Sequence, residues 1–422
     1  MPKNYYVVRD PIFGYIKYNH LERDIINSSP FQRLRYIRQL SLTNLVYPGA
    51  DHTRFAHSLG VMEMASRIFD TLMAKHQSDL EWDNESVDRN RQLLRLMALL
   101  HDTGHPPFSH ASEELFENGI EHEDYTVAII KSPPISEIID AWAHKSGVDI
   151  TSDLVSKAFA GRFVDKDVAF LTQIFSGEID ADRMDYLLRD SLFAGVTYGK
   201  FDYERLIHTL CLIPDPGDED GNLILAVEEG GIHAIEALIL ARYFMFTQVY
   251  FHRVRRSYDH HLVEFLRHEG LEGGVYPRIS NLEEYLGWDD VRVINLMRER
   301  SSKNEDAQAI LTRNHYVEAF QTKEHITSEE MTRFEWLFEK VCEEFRDVRI
   351  FVDDPEKEPH KFEKYDLFVK LRHLDTLELV NEYSSLIKNL KLIKMYRLFV
   401  HRDHSEKIRK FCKDFWLKHD KP

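Results

Sequence analysis

Cysteine is scarce in this chain: three in 422 residues, Cys211, Cys342 and Cys412, far apart and odd in number. That excludes a disulfide framework and a cysteine-built zinc site, and a reducing, cytoplasmic setting is the expectation. Long apolar runs are missing too. None approaches the roughly 20 residues that a bilayer-spanning helix needs, and the opening Met1-Pro2-Lys3-Asn4 leads into no apolar signal segment. No membrane partner is expected. Positive charge is in deficit, with 54 Lys and Arg against 71 Asp and Glu and a formal net charge of −17. Broad nucleic-acid binding needs a basic surface and is not expected either. An anionic substrate would have to meet a local island of Arg and His inside an acidic shell. There is no glycine-rich phosphate loop of either common type, no internal repeat and no low-complexity tract.

What is present centres on Leu99-Leu100-His101-Asp102-Thr103-Gly104-His105-Pro106-Pro107-Phe108-Ser109-His110. Apolar Leu94, Met97, Ala98, Leu99 and Leu100 read as the last turns of a buried helix, stopped by Gly104 and the two prolines. A His-Asp pair is costly to bury uncompensated, and a divalent metal compensates it by taking imidazole and carboxylate together. Upstream, Arg54 and His57 share a face at i and i+3 on a helix expected to run to about residue 75. Downstream, a helix over 178–193 gathers Asp182, Arg183, Tyr186 and Asp190 within one arc of roughly 100° at 3.6 residues per turn, which suggests a lined cavity. His57, His101, Asp102 and Asp182 together make two imidazoles and two carboxylates for one metal, with positions left for water and a substrate oxygen.

The rest of the chain reads as mostly helical. Residues 5–8 and 15–18 flank a turn and make a hairpin. A helix is expected from Ser28-Ser29-Pro30 to Leu40, a polar connector over 78–89, and a helix over 90–100. Short helices are expected over 111–118, 122–131, 135–144, 152–159 and 168–174. A turn over 214–221 precedes a strand over 223–227. Residues 232–267 read as one long helix whose aromatic stripe (Tyr243, Phe244, Phe246, Tyr250, Phe251) is more naturally core than cofactor box. Its Arg253, Arg255 and Arg256 suit either phosphate or ion pairs. Strand-like stretches near 348–352 and 392–400 and a closing helix over 405–418 suggest an accessory lobe. The expected division is 1–270 and 271–422.

Three stretches carry a family resemblance: His52-Thr53-Arg54-Phe55-Ala56-His57-Ser58-Leu59-Gly60-Val61, the His101 to His110 run, and Asp180-Ala181-Asp182-Arg183-Met184-Asp185-Tyr186-Leu187-Leu188-Arg189-Asp190. The segment from Phe31 to Leu40 and Tyr47-Pro48-Gly49-Ala50 match as well. Together, over roughly residues 5–270, they resemble the HD-domain metal phosphohydrolases, and within them the deoxynucleoside triphosphate triphosphohydrolase branch. The resemblance implies a mostly α fold, with an HD-domain helical core, a small N-terminal β-hairpin and a C-terminal α+β accessory lobe. It implies His57, His101, Asp102 and Asp182 as ligands of one divalent transition metal (Fe, Mn, Zn, Ni or Co), with Mg on the nucleotide phosphates. Arg54 and His105 would hold the α-phosphate, and His110 and His122 would move protons. Arg183 and Tyr186 would contact phosphate; Gln39, Leu40 and Asp190 would meet the sugar, and Tyr258 would line its pocket.

The implied reaction is hydrolysis of deoxynucleoside triphosphates to deoxynucleoside and inorganic triphosphate. The alternatives are an HD phosphohydrolase for another nucleotide, such as a monophosphate or a signalling nucleotide, and a non-catalytic nucleotide sensor. A homo-oligomer of four or more copies is expected, with a nucleotide effector held by Arg9, Arg35 and Arg38 near the hairpin. Compared with the animal members of this branch, which the resemblance brings with a SAM domain, no SAM domain is expected here, Arg183 stands where they have lysine, and Asn27 stands where an aspartate reads guanine.

Overall fold

The computed structural model describes residues 5–117, 119–161, 168, 170–217, 222–358, 360, 366–373 and 376–419. The fold is mostly helical, with an N-terminal two-stranded hairpin and a mixed α/β C-terminal region. Strands Tyr6–Asp10 and Gly14–Tyr18 pair antiparallel. Their turn is closed by Asp10, whose Oδ1 accepts the N–H groups of Ile12 and Phe13 at 2.8 and 3.0 Å.

The chain forms two compact units interleaved along the sequence. The first comprises Met1–Arg242, Val275–Arg292 and His360–Asn389; the second comprises Tyr243–Gly274, Val293–Pro359 and Leu390–Pro422. The single division expected near residue 270 differs from this, because residues 275–292 and 360–389 return to pack on the first unit.

In the first unit the helix Arg54–His76 is the central element and packs against helices Asn84–Leu100 and Ala181–Ala194. Its core is apolar on most sides, with Val61, Met62, Met64, Ala65, Ile68, Phe69 and Leu72 fully enclosed. The helix Asn84–Leu100 starts six residues earlier than the expected 90, because Asp83 caps it by accepting the Ser86 N–H at 2.8 Å. Arg95 on this helix binds buried Glu22 with two nitrogens, at 2.6 and 2.8 Å. That fork fixes the hairpin-proximal helix His20–Ile26 against the core.

The helix expected from 28 to 40 is shorter. It runs Ser29–Arg33, tightens over Leu34–Tyr36, and then goes extended. Long-range partners claim the backbone beyond that point. The Ile37 carbonyl accepts the Arg54 N–H at 3.0 Å, the Gln39 N–H donates to the His52 carbonyl at 3.1 Å, and the Arg38 N–H donates to Asp290 at 3.0 Å. Strands Leu210–Pro214 and Leu223–Glu228 form an antiparallel pair, extended in parallel by Phe368–Lys370; the first of these is not evident from the sequence. Residue 118, most of 162–169 and the 218–221 end of the expected turn lie outside the described residues.

The expected continuous helix over 232–267 is broken. Helix Ile232–Met245 widens into a π-turn over Phe246–Tyr250, and a new helix starts at Arg253. His252 caps that start, its ring accepting the Val254 N–H, and the Phe251 carbonyl freed by the break accepts Arg397 Nη1 at 2.7 Å. Strand Arg397–Val400 lies between Val317–Gln321 and Ile350–Asp353 in an antiparallel sheet. Helices Ser328–Glu344 and Arg402–Lys418 cover it around Phe334, Leu337, Val341, Ile408, Cys412 and Phe415. No single helix among the described residues is long and apolar enough to cross a membrane.

Candidate metal centre

His57 lies one turn into the Arg54–His76 helix, His101 and Asp102 end the neighbouring helix, and Asp182 sits in the first turn of Ala181–Ala194. The packing of these three helices brings their polar ends to one point. His57 Nε2 is 3.0 Å from Asp182 Oδ1 and 3.5 Å from Asp102 Oδ2. His101 Nε2 is 3.2 Å from Asp102 Oδ1 and 3.8 Å from Asp182 Oδ1. Atoms bound to one ion at about 2.0–2.2 Å lie roughly 3–4 Å from one another, so these spacings suit a common cation.

Two hydrogen bonds decide which imidazole atoms face inward. His101 Nδ1 is 2.7 Å from the Ala98 carbonyl, a group that only accepts, so Nδ1 carries the proton. Its Nε2 is buried, has no hydrogen-bond partner and faces two carboxylates. Electron-rich atoms aimed at one another in a buried site need a cation between them, and a divalent metal fits. His57 Nδ1 meets Asp185 Oδ2 at 2.7 Å, which orients the ring and leaves Nε2 toward the same point. Without metal a proton serves instead: against the cost of burial, Asp182, Asp185 and Asp102 push His57 up to about 10.

Arg54 is buried beside this cluster. Its Nη1 donates to Asp102 Oδ2 at 2.5 Å and its Nε to Ser109 Oγ at 2.7 Å. Burial opposes ionisation of Asp102, yet Arg54, His101 and His105 hold its carboxyl well below the usual range.

A second histidine group adjoins the first. His105 Nε2 is 3.3 Å from Asp102 Oδ1. Its ring stacks on His122 at 3.7 Å and meets His110 edge-on at 4.7 Å. Burial, Arg54 and His122 all push His105 well below its ordinary pKa, so this imidazole stays neutral. His110 Nδ1 and His122 Nδ1 both bind the carboxylate of Glu113, the first at 2.6 Å. Burial disfavours charge on His122, but Glu113 outweighs it and raises the pKa. His110 is exposed, so the stack leads from the buried metal cluster toward solvent.

The loop carrying these groups is strained and held from several sides. Phe108 and Ser109 have φ of 60° and 58°. Asp290 accepts the Phe108 N–H at 2.7 Å, Tyr285 donates to the Gly104 carbonyl at 2.5 Å, and Arg33 Nη1 donates to the His105 carbonyl at 2.9 Å. Gly104 lies so close to the following helix that a Cβ there would come within 2.1 Å of the His122 carbonyl oxygen and 2.4 Å of the Thr126 nitrogen.

The remaining expected residues fall in three places. Gln39 and Leu40 are buried, and the Gln39 N–H donates to the His52 carbonyl, while the His52 ring meets Asp190 Oδ1 at 2.7 Å. Arg183 is paired with Glu178 at 2.8 Å, and Glu178 also binds Arg242 at 2.9 Å. Burial pushes the Tyr186 hydroxyl up to about 12. Tyr258 belongs to the second unit, fully buried, with its ring 4.6 Å from His315.

The sequence reading did not single out Asp185, Glu113, His52 or Glu178 for a role. Glu113 had a local signal, three residues after His110 on the same face. Asp185, on the helix already flagged, had none, because its partner is 128 positions away.

Comparison with known proteins agrees with this picture. The HD domain family matches residues 54–190, and the HD associated region matches residues 201–418. The chain therefore belongs to the HD-domain phosphohydrolase family, a family of hydrolases that bind a divalent metal. A solved hypothetical protein from Aquifex aeolicus is similar in structure, with a TM-score of 0.79 and 35% identity over 96% of this chain and 99% of that one. The uncharacterised protein YwfO of Bacillus subtilis is 37% identical over 262 residues, 62% of this chain and 55% of that protein. The human deoxynucleoside triphosphate triphosphohydrolase SAMHD1 is 28% identical over 350 residues, 74% of this chain and 54% of that protein. The chain thus spans about half the length of these two curated relatives.

Proposed function

We propose that this protein hydrolyses deoxynucleoside triphosphates to deoxynucleoside and inorganic triphosphate. The observation that carries the reading is the junction of two groups: buried His57, His101 and Asp102 with half-buried Asp182 beside them, and the His105–His122–His110 stack on Glu113 that starts 3.3 Å from Asp102. Hydrolysis at phosphorus needs a cation to orient the phosphoryl oxygen and a proton path for the leaving oxygen, and here the two adjoin. The likeness to SAMHD1 directs the choice of substrate.

His57, His101, Asp102 and Asp182 would hold a divalent metal, which would supply polarisation of the phosphoryl group and a lowered pKa for water. Arg54 offsets charge that develops on the α-phosphoryl oxygens. Neutral His105 donates a hydrogen bond to the same group. His122 delivers a proton to the leaving 5′-oxygen, and exposed His110, held on the same Glu113 carboxylate, links the stack to solvent. Arg183 and Tyr186 contact phosphate, with Mg on the polyphosphate, and Gln39, Leu40 and Asp190 pack against the sugar.

The test is to load the purified chain with metal and incubate it with each deoxynucleoside and ribonucleoside triphosphate. Release of intact triphosphate from the deoxy substrates is expected. Orthophosphate or pyrophosphate would instead point to an HD phosphohydrolase of other nucleotides, and no turnover of any nucleotide to a nucleotide sensor.

A further inference from the structure

Behind His57 runs a buried chain of charges with no part in the mechanism above. His57 Nδ1 meets Asp185 Oδ2 at 2.7 Å, and Arg189 grips the same carboxylate with Nε at 2.9 Å and Nη2 at 2.8 Å. The remaining nitrogen, Arg189 Nη1, donates to Asp10 Oδ2 at 2.8 Å. Asp10 uses its other oxygen to close the hairpin turn through the Ile12 and Phe13 N–H groups. Arg189 and Asp185 are fully buried and Asp10 is 5% exposed. Gly60, one turn after His57, makes room for the pair: a Cβ there would lie 1.9 Å from Asp185 Oδ1 and 2.2 Å from Arg189 Nη2.

We propose that Asp10, Arg189 and Asp185 are positioning residues that couple the N-terminal hairpin turn to the metal ligand His57. The inference rests on the metal-site reading. Two carboxylates share one guanidinium, so the wall behind His57 carries a net negative charge that makes its imidazole a better donor to a cation. Neutralising Asp10 leaves the whole guanidinium on Asp185, weakens its hold on the His57 N–H, and lowers metal affinity. Coupling of this kind is reciprocal: filling the metal site draws charge toward His57 and tightens Arg189 on Asp10, which steadies the turn. A partner that grips the exposed side of the hairpin, where Val7, Arg9 and Tyr15 lie, would change metal affinity by the same factor.

The test uses the full chain and Mn²⁺ as probe, with calorimetric titration and amide hydrogen exchange as readouts. In the wild type, saturating Mn²⁺ is expected to slow exchange at Ile12 and Phe13. Asp10→Asn keeps an oxygen for the turn but removes the charge. It is expected to weaken Mn²⁺ binding by about 10- to 100-fold, the usual scale for groups behind a metal ligand, with excess Mn²⁺ restoring turnover. A lower unfolding midpoint with wild-type Mn²⁺ affinity would mean that Asp10 is only a turn-former, and would overturn the coupling. If Asp10→Asn does not fold, wild-type exchange decides: slowing supports the coupling and no change overturns it. A wild type that binds no Mn²⁺ at all, and no other divalent metal, overturns the metal-site reading and the coupling with it.

Discussion

At the scale of single residues, the chemistry rests on which nitrogen of each imidazole is committed elsewhere. The carbonyl of Ala98 and the carboxylate of Asp185 each take an Nδ1, and so aim the two Nε2 atoms at one point. Replacing His101 and Asp102 together with alanine is expected to abolish both metal content and hydrolysis, as read by elemental analysis and product assay. His122 differs in kind, because the proposed function makes it a proton carrier and it lies outside the His57, His101, Asp102 and Asp182 cluster. His122→Ala is expected to cut turnover by about 10²- to 10⁴-fold while metal stoichiometry stays at the wild-type value; unchanged turnover would refute its role. Glu113 raises the His122 pKa despite burial. The resulting stabilisation is complete below about pH 6.5, the ordinary histidine value, and is lost as pH rises through the raised value. Glu113→Gln removes that pull, so the alkaline limb of the pH–rate profile is expected to move to lower pH.

At the scale of elements, Asp290 buckles two segments together, its carboxylate accepting the backbone N–H groups of Phe108 and Arg38. Burial pushes this group up from 3.8 to about 7, even though both hydrogen bonds favour its ionised form. A raised carboxyl pKa means that the native state binds more protons than the unfolded one between those values. Stability therefore falls as pH rises from about 4 to 7 and levels off above. Asp290→Asn abolishes that slope, at a cost of about 1–3 kcal/mol for the N–H group left without an acceptor. The stability gap between wild type and variant is expected to narrow from pH 4 to 7, as read from urea midpoints; equal gaps at pH 5 and 7.5 would contradict the assignment.

At the scale of the whole molecule, two interleaved units and a net charge of −17 frame how the chain would be controlled. Arg9 and Arg35 are exposed near the hairpin and the Ser29–Arg33 helix, Arg35 lying 3.5 Å above the Phe55 ring, and Asn27 is exposed at the end of His20–Ile26. We propose that an effector nucleotide binds there in a homo-oligomer of four or more copies. An asparagine amide offers one acceptor oxygen where a carboxylate offers two, so guanine selectivity is expected to be weak. Turnover and oligomeric mass, followed against dGTP, dATP and GTP, check this. A monomer of constant mass and rate refutes the regulation, and strict guanine-only activation refutes the role given to Asn27.

The sequence by itself determined the class of fold, the hairpin, most helices and the family. These follow from short-range patterns: apolar spacing, caps, proline and glycine stops, and motifs such as His101-Asp102 that keep their neighbours in the chain. Tertiary structure decided what depends on partners far along the chain. The helix expected to reach Leu40 ends at Arg33 because residues 37–39 find better backbone partners in His52, Arg54 and Asp290. The long helix over 232–267 breaks at Phe251, whose carbonyl is taken by Arg397. Asp185 carries no sign in the sequence that it backs His57, since that role exists only once two helices pack with Gly60 between them. Local propensity is worth tenths of a kcal/mol per residue, about 0.7 at most for ordinary residues, whereas leaving a buried polar group unpaired costs about 1–3 kcal/mol. Where the two conflict, the long-range partner wins.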